Sequence, residues 1–389
     1  MRVTYVSPGI APGFGGIHKD VPGLCREMAR RGFEVSLLTT DVGYRGTKIP
    51  AGVWAKCDGY RTIYFRHVQL PGRLSNFAIA PGCHRVLRDI VSRTDVVHIY
   101  SLYNYLSSWT ARYARAAGVP YVVEPHGALD TFLYRRSRYR KRLFEFLWER
   151  RNLGKAAAVR CLSRKEAEQA KDNLGLNLKT VVIPTGIDVA KFRPSAAAIR
   201  VYDAYGLPQS LEKIVFVGRL HEKKGLDLLA EAFVQLCTTR RSAQLVIVGP
   251  DEGVEDQVRQ LLKRGGCEQR ATFTGMVNGQ AKIDLMAAAD VIVVPSYTEN
   301  FGNVVIEAMA LARPLVVSSG VGIAEQVSVA KAGLVVNPVV GELVEALEFI
   351  LTDRRDGVRM GRAGKSLVER EFLWGAVGER MEALYRGLV

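Results

Sequence analysis

Glu299 and Glu307 stand eight residues apart around a predicted helix start, and this spacing suggests a site for a hydroxyl-rich ligand. A buried strand is predicted over 291–294 and a helix over 303–311, so the chain passes quickly from strand to loop to helix. Backbone N–H groups at a helix start bind anions such as phosphate, whereas carboxylates accept hydrogen bonds from the hydroxyls of a sugar or ribose. Either glutamate taken alone is more often an ordinary solvated residue.

Two basic residues follow another predicted strand and can reach the same anion. Arg219 and Lys224 lie in the loop after a strand predicted over 213–217. An arginine binds phosphate oxygens in pairs and a lysine acts as a point charge, so together they suit a diphosphate. As isolated residues they would usually belong to the solvated surface.

The glycine-rich loop after the first predicted strand is a further candidate anion site. Gly15 and Gly16 would let backbone amides approach a phosphate, although a loop that needs positive φ explains them equally well. The spacing lacks the third glycine of a dinucleotide fingerprint, which argues against a nicotinamide-dependent enzyme. His126 falls where a predicted strand yields to a loop, the edge at which open α/β sheets bind ligands. His98 lies within a strand and is predicted to be a core or sheet-edge histidine.

Strand and helix patterns alternate along both halves of the chain. At 389 residues the chain exceeds the size of a single growing core, and a connector over 189–212 separates two series of strand–helix units. We therefore predict an α/β protein with two doubly wound, Rossmann-like domains facing across a cleft. The predicted divisions are 1–190, 191–365 and 366–389.

Charge and cysteine content narrow the partners and the compartment. The net charge of +15 resides in residues 1–190, which hold 30 Lys and Arg against 15 Asp and Glu, while residues 191–389 hold 24 of each. So basic a domain favours an anionic partner, namely a phospholipid surface, a nucleic acid or a phosphate-bearing substrate, over a surface that only aids solubility. Six scattered cysteines without C-x-x-C spacing argue for a reducing compartment and against a zinc site. With no long apolar run and no signal-peptide pattern, a cytoplasmic protein, soluble or peripheral at the inner membrane face, is expected.

A basic and aromatic segment over 135–151 is the candidate contact with a membrane or an anionic acceptor. Its apolar residues recur with helical spacing between arginines and lysines, as in helices that lie on anionic interfaces. Arg138, Arg140, Lys141 and Trp148 are the residues assigned to this contact. The alternatives are the core face of an ordinary domain helix and a surface for nucleic acid.

Together these pieces resemble glycosyltransferase family 4, the retaining nucleotide-sugar transferases of GT-B fold. The resemblance runs nearly the whole chain, and its most specific part is the Arg/Lys pair followed by the Glu-x7-Glu spacing. The matching segments are Gly15-Gly16, Glu124-Pro-His-Gly127, Ile183-Pro-Thr-Gly-Ile-Asp188, Val217-Gly-Arg-Leu through Lys224-Gly225, Phe273-Thr-Gly275, and Glu299 with Glu307.

The resemblance implies a role for each group. Arg219 and Lys224 would bind the donor diphosphate and stabilise the leaving group, so that neither a metal nor another cofactor is expected. Glu307 would bind the ribose, Glu299 the donor sugar, and His126 would lie beside that sugar near the reacting carbon. Front-face attack assisted by the leaving phosphate would retain the anomeric configuration. The remaining donor-site residues would be Gly15, Gly16, Gly249, Asn300, Phe301, Gly302, Asn303 and Val304.

The acceptor and the exact donor stay more open. The resemblance places acceptor binding in the basic first domain, which suits a glycan or lipid-linked acceptor of surface polysaccharide or glycoconjugate assembly, and returns the C-terminal helix over 366–389 to that domain. Asn300 and Asn303 depart from the commonest family pattern and leave the donor sugar undetermined. The competing interpretations are a nucleotide-sugar 2-epimerase on the same fold, a silent sugar-nucleotide-binding module and, from charge alone, a nucleic-acid-binding protein.

Overall fold

The computed structural model describes residues 1–12, 15–44, 49–69, 77–130 and 148–389, and the chain divides into two compact units. The first unit combines Met1–Gly186 with Trp374–Val389, and the second is Ile187–Leu373. The predicted division at 190 falls just beyond the first change of unit. The predicted division at 365 falls inside one continuous helix, Arg354–Glu371, so the second change of unit comes only after that helix ends.

The first unit contains an eight-stranded sheet in the order β3-β4-β2-β1-β5-β6-β7-β8. β3 pairs antiparallel with β4, and the other described neighbours pair in parallel. The strand order reverses between β1 and β5, which makes this pair a topological switch point. The strands are β1 (Arg2–Val6), β2 (Glu34–Thr40), β3 (Trp54–Cys57), β4 (Tyr60–Phe65), β5 (Val96–Tyr100), β6 (Tyr121–Glu124), β7 (Ala158–Cys161) and β8 (Thr180–Val182).

The hairpin of β3 and β4 is missing from the sequence prediction. β3 is an edge strand whose first three residues are exposed, so it lacks the apolar alternation that identifies a half-buried strand. Asp58-Gly59 connects the two strands, and this dipeptide is a common hairpin turn. The Asp58-Gly59 turn therefore indicates the hairpin from the sequence, whereas the residue pattern of β3 does not.

Helices cover both faces of the first sheet. One apolar core packs the first helix against the sheet, and a second core packs four later helices against its other face. The helices are α1 (Gly16–Arg30), α2 (His84–Ser92), α3 (Tyr105–Ala117), α4 (Arg150–Gly154) and α5 (Arg164–Leu174).

The second unit is built on a six-stranded, fully parallel sheet in the order β11-β10-β9-β12-β13-β14. The strands predicted over 213–217 and 291–294 are confirmed as β9 and β12, and the helix predicted over 303–311 is confirmed as Asn303–Ala310. The strands are β9 (Glu212–Val217), β10 (Ala243–Val248), β11 (Ala271–Gly275), β12 (Val291–Val294), β13 (Leu315–Ser318) and β14 (Leu334–Val336). The helices are α6 (Leu226–Thr239), α7 (Glu255–Arg264), α8 (Gly279–Ala287), α9 (Asn303–Ala310), α10 (Ala324–Val329), α11 (Val340–Thr352) and α12 (Arg354–Glu371).

A last helix, α13 (Trp374–Arg386), belongs to the first unit and packs against α1. Arg31 joins the two helices, with its guanidinium 2.8 Å from Glu382 Oε2 and donating to the Gly375 carbonyl at 2.7 Å. Both units have the predicted α/β, doubly wound character. Among the helices that the structure describes, none combines the length and apolarity needed to cross a bilayer.

Candidate functional site

The strand order of the second unit brings two predicted loops to one edge of its sheet. β9 and β12 are neighbours, yet β10 and β11 come between them along the chain, so the order reverses at this pair. The loop after β9 carries Arg219 and Lys224, and the loop after β12 carries Glu299. Ligands of open α/β sheets bind outside the carboxyl ends of the strands at such a reversal. The topology therefore supports a binding site at this edge.

Lys224 and Glu299 form an ion pair across the reversal. Lys224 Nζ lies 2.7 Å from Glu299 Oε1, and the Ser296 hydroxyl donates to Oε2 at 3.2 Å. The two charged side chains are only 13% and 21% exposed. Burial raises the pKa of the Glu299 carboxyl, but the Lys224 ammonium outweighs that effect and holds the pKa below its usual value. Since an ammonium has three N–H donors, Lys224 can bind an anion while it keeps this carboxylate.

Glycine allows the two loops to approach closely. A Cβ atom at Gly225, where φ is +66°, would overlap the carbonyl oxygen of Pro295. Tyr297 N–H also donates to the Lys223 carbonyl at 2.9 Å, which links the loop after β9 to the loop after β12. Backbone contacts therefore fix the position from which the Lys224 side chain extends.

The start of α9 lies in the same loop as Glu299. Gly302 is the N-cap in a left-handed conformation (φ 107°), and a Cβ atom there would lie 2.7 Å from Val321 Cγ1. Phe301 is buried and packs edge-on against Phe372, with ring centroids 6.0 Å apart. Val305 N–H donates to the Gly302 carbonyl at 2.9 Å, whereas the N–H groups of Asn303 and Val304 precede the first residue that bonds back to the cap. They are available to an anion at the end of the sheet.

Further backbone bonds hold the Glu299 loop against the loop after β13. Glu299 N–H donates to the Gly320 carbonyl at 3.1 Å, and Gly322 N–H donates back to the Glu299 carbonyl at 2.9 Å. Asn300 and Val304 lie in the stretch held by these contacts, Asn300 next to Glu299 and Val304 in the first turn of α9. The predicted donor-binding stretch is thus a fixed part of the fold.

Glu307 is buried within α9 and paired with a lysine that the sequence did not single out. The Lys282 ammonium of α8 contacts Glu307 Oε2, and the Glu307 side chain is only 6% exposed. Arg219 is placed differently, because its guanidinium is 55% exposed and lies 2.7 Å from Glu252 Oε1. The structure therefore unites Lys224 with Glu299, but it turns Arg219 toward another carboxylate.

Gly249 follows β10 at the same sheet edge and has no room for a side chain. Its φ is +152°, and a Cβ atom there would overlap the carbonyl oxygen of Gly218 in the loop after β9. The Gly249 N–H donates to the Gly275 carbonyl at 2.9 Å. Gly249 therefore lets three neighbouring loops of this edge meet.

In the first unit His126 lies at the carboxyl end of β6, in a left-handed conformation (φ 50°) that few non-glycine residues adopt. Its Nε2 is 2.7 Å from Glu124 Oε1 and 3.5 Å from Asp20 Oδ2. Burial lowers the pKa of His126, but these two carboxylates outweigh it and raise the pKa to about 10. His126 is therefore an imidazolium at neutral pH. It lies in a strained turn, as functional residues often do.

Arg160 of β7 completes a buried cluster of charges around His126. Its guanidinium lies 2.5 Å from Glu124 and 3.7 Å from Asp20, and it donates to the carbonyls of Ile183 and Pro184. The Thr185 hydroxyl donates to the other oxygen of Asp20. Two carboxylates thus face two cations. Each of these two buried carboxylates therefore has a cationic partner, as buried charges require.

Asp20, Glu124 and His126 have the spacing of a metal site, but the charges in this cluster argue against a bound metal ion. One ligand atom each from Asp20, Glu124 and His126 lie within 4.8 Å of one another. The Arg160 guanidinium already neutralises the carboxylates, and protonated His126 has no lone pair to offer a metal. We therefore assign no metal to this cluster.

Two further groups surround His126. His98 is fully buried in β5, which confirms the predicted core position, and its Nε2 lies 3.2 Å from Glu124 Oε2. Glu166 accepts hydrogen bonds from the backbone N–H groups of Gly127 at 2.8 Å and Leu162 at 2.7 Å. Glu166 therefore holds the turn that contains His126.

The remaining predicted residues are Gly15, Gly16 and the basic segment. Gly15 is the N-cap of α1 with φ +60° and open space where a Cβ atom would stand, and Gly16 is the first helical residue. Trp148 is 47% exposed. Arg138, Arg140 and Lys141 lie outside the described residues, so their assignment to a membrane or acceptor contact stays a prediction.

Sequence reasoning missed the partners of the predicted site residues. Arg160 does carry a signal, because a charged residue in the middle of the buried strand Ala158–Cys161 requires a partner. Ser163 and Glu166 have the spacing of a capping box, and the Ser163 hydroxyl accepts from Glu166 N–H at 3.1 Å. Asp20 and Lys282 carry no such local signal, because their partners are distant in the chain.

Comparisons with known proteins agree with these observations. A family model described as "Glycosyl transferases group 1" matches residues 202–367, and one described as "Glycosyl transferase 4-like domain" matches residues 15–186. The chain is 29% identical to the D-inositol 3-phosphate glycosyltransferase of Kineococcus radiotolerans over 99% of this chain and 94% of that protein. It is 28% identical to the GDP-mannose-dependent alpha-(1-6)-phosphatidylinositol dimannoside mannosyltransferase of Mycobacterium tuberculosis, over 82% and 79% of the two chains. Sucrose-phosphate synthase of Thermosynechococcus elongatus has a similar fold, with a TM-score of 0.80, 24% identity and coverage of 100% and 99%.

Proposed function

The chain belongs to the group 1 glycosyltransferases of GT-B fold, and from this membership we propose that it transfers a sugar from a nucleotide diphosphate sugar to a glycan or lipid-linked acceptor, with retention of configuration. The observation that carries the proposal is the ion pair of Lys224 and Glu299 beside the start of α9. It places an ammonium, a carboxylate and free helix N–H groups at one sheet reversal, the combination that a sugar linked to a diphosphate requires.

Lys224 and the first turn of α9 bind the donor diphosphate in this proposal. Charge that develops on the leaving phosphate is stabilised by an ammonium and by N–H groups that are already in place before the reaction. Arg219 leaves Glu252 to contact the same phosphates, because its exposed guanidinium can move at little cost. These groups supply the positive charge that a metal ion would otherwise provide, so we propose a metal-independent reaction.

The carboxylates bind the hydroxyl groups of the donor. Glu299 is held as a carboxylate by Lys224 and accepts from hydroxyls of the sugar. Glu307 is fixed by Lys282 and accepts from the ribose. In the first unit the His126 imidazolium contacts the donor sugar near the reacting carbon. The acceptor hydroxyl then attacks from the face that the leaving phosphate departs from, which retains the configuration.

The acceptor proposal rests on charge and on one relative. All of the net charge of +15 lies in residues 1–190, and a basic surface attracts phosphate-bearing lipids or sugars. The name of the mycobacterial relative includes phosphatidylinositol dimannoside, a phosphate-bearing lipid. We propose a cytoplasmic protein that binds the inner membrane face peripherally during surface polysaccharide or glycoconjugate assembly.

A ligand panel tests the donor proposal. The midpoint of thermal unfolding is measured with uridine, guanosine and adenosine diphosphate sugars, including GDP-mannose, because a ligand that binds only the folded state raises its stability. Lys224→Met should abolish the shift produced by the active sugar nucleotide, whereas Lys263→Met, a lysine in the last turn of α7, should keep it. No response to any sugar nucleotide in the unaltered protein would contradict the proposal.

Product analysis tests the reaction itself. Proton NMR of the product with the responding donor should show the anomeric configuration of the donor, and excess EDTA should leave the rate unchanged. A product of inverted configuration, or a rate restored only by added divalent metal, would overturn the corresponding part of the proposal. An epimerised donor without transfer would indicate the 2-epimerase instead.

Vesicle binding tests the membrane proposal. We expect the protein to sediment with vesicles containing anionic phospholipid at low salt and to remain in solution with neutral vesicles. Charge reversal at Arg138, Arg140 and Lys141 should weaken this binding, whereas reversal at the surface residues Arg354 and Arg359 of the second unit should not. If both variants bound anionic vesicles equally well, the basic segment over 135–151 would not be the membrane contact.

A further inference from the structure

We propose that Tyr385, on helix α13, is a positioning residue for His126. The connection runs through two fully buried side chains, His98 and Glu124. The inference rests on the proposed function, in which His126 contacts the donor sugar. It gives the C-terminal helix a part in the reaction besides its packing.

Three short distances join the residues. The Tyr385 hydroxyl lies 2.6 Å from His98 Nδ1, His98 Nε2 lies 3.2 Å from Glu124 Oε2, and Glu124 Oε1 lies 2.7 Å from His126 Nε2. The side chains of Tyr385, His98 and Glu124 are inaccessible to solvent. Bulk water therefore cannot replace a group that is removed, and each member depends on the next.

The surroundings of His98 decide which nitrogen carries its proton. Burial lowers the pKa of His98, so the ring is neutral and has one N–H group. The Glu124 carboxylate can only accept, which places that proton on Nε2. Nδ1 is then an acceptor, and the Tyr385 hydroxyl is the donor that occupies it. The Tyr5 hydroxyl, 3.0 Å from that of Tyr385, is a competing acceptor for the same proton.

Loss of the Tyr385 hydroxyl releases this constraint. His98 can then take the other tautomer, in which the lone pair of Nε2 faces the Glu124 carboxylate and repels it. Glu124 also bonds Arg160, so it can turn toward the guanidinium and away from His126. The imidazolium would lose part of the attraction that keeps its proton and its orientation.

Other charged groups face His126 from three further elements. They are Asp20 from α1, Glu166 from α5 and Arg160 from β7, and the Arg160 guanidinium contacts Asp20 and Glu124. Asp20 keeps its bond from Thr185 in either case. The change expected on loss of the hydroxyl is therefore a partial one, because Asp20 still faces the ring.

Nitrogen NMR of histidine tests the proposal directly. The chain has only six histidines, so selective 15N labelling gives a spectrum in which each ring can be followed. In the unaltered protein we expect His98 as the Nε2–H tautomer and His126 protonated well above pH 7. In Tyr385→Phe we expect mixed tautomers at His98 and a pKa of His126 lower by about one unit or more.

Tyr105→Phe is the matched control, because the Tyr105 hydroxyl also bonds a histidine, His84 Nε2 at 2.7 Å, in the same unit. It removes the same atom without touching the connection to His126. Tyr5→Phe is a second variant; it removes the competing acceptor of the Tyr385 proton, so His98 should stay the Nε2–H tautomer. Unchanged His98 and His126 signals in a folded Tyr385→Phe protein would overturn the proposal.

The NMR outcome is independent of the reaction. If His126 shifts as expected and no sugar nucleotide is used, the connection is supported and the proposed function fails. If Tyr385→Phe transfers sugar with the same rate and pH profile as the unaltered protein, the positioning role is overturned while the proposed function stands.

Discussion

Because His126 is charged in the folded protein, the first unit is expected to lose stability as the pH becomes alkaline. Its pKa rises from 6.5 to about 10 on folding, so the imidazolium stabilises the folded state fully below pH 6.5 and this contribution is lost as pH rises through about 10. At about 1.4 kcal/mol per unit, the shift corresponds to at most about 5 kcal/mol. Arg160 still pairs with the carboxylates once the imidazolium is gone, so we expect about 2–5 kcal/mol to disappear.

The substitution that isolates the contribution of the His126 charge to the free energy of unfolding is His126→Asn. Asparagine tolerates the left-handed backbone conformation of position 126, so the substitution removes the charge without adding backbone strain. All four tryptophans, at 54, 109, 148 and 374, lie in the first unit, so their fluorescence reports its unfolding selectively. Urea unfolding is followed for both proteins from pH 6 to pH 10.

The informative quantity is the difference in unfolding free energy between the two proteins at each pH. Other groups titrate near pH 10, but they are common to both proteins and cancel in the difference. We expect the advantage of the unaltered protein to be largest near pH 6 and to shrink by about 2–5 kcal/mol toward pH 10. A difference that stays constant over this range would refute the assignment of an imidazolium.

Three further substitutions test other parts of the structure, each by chemical denaturation. Arg160→Met should cost the first unit about 3–5 kcal/mol, because it leaves Asp20 and Glu124 buried with one cation fewer, whereas the exposed Arg93→Met should change its stability by less than about 0.5 kcal/mol. Gly249→Ala should destabilise the second unit by about 2 kcal/mol or more through overlap with Gly218, while Gly341→Ala in α11, where a Cβ atom meets nothing within 4 Å, should stabilise it by about 0.5–1 kcal/mol. Ser163→Ala should cost about 1 kcal/mol because α5 loses its N-cap acceptor; an effect below about 0.3 kcal/mol would contradict the cap.

The elements of the fold could be predicted where the local pattern is strong. Buried parallel strands such as Val291–Val294 are uninterrupted β-branched runs, and the loops after them hold the glycines and charges that the sequence makes visible. The exposed strand Trp54–Cys57 could not be found in this way, because an edge strand has no apolar face to repeat. Pattern therefore predicts the core of each sheet better than its edge.

The candidate site was predictable only in part, because its ion pairs join distant residues. Lys224 and Glu299 were both singled out, but their pairing follows from the β9–β12 neighbourhood, which no local pattern specifies. The same holds for Asp20, whose partner Thr185 is far along the chain. For Arg219 the sequence suggested one anion shared with Lys224, and the structure shows a separate carboxylate partner.

Because the first unit is discontinuous in the sequence, it can finish folding only after the second unit has been synthesised. Residues 187–373 interrupt the first unit, so the ribosome synthesises the whole second unit before it synthesises α13. Until then Gly23 and Gly186 lack the Trp374 indole that packs closely on both, and His98 lacks the Tyr385 hydroxyl. The half of the chain that is synthesised first is therefore finished last. A nascent chain stalled before α13 would contain the whole second unit, which could fold. Its first unit would still expose the apolar surface on which α13 packs.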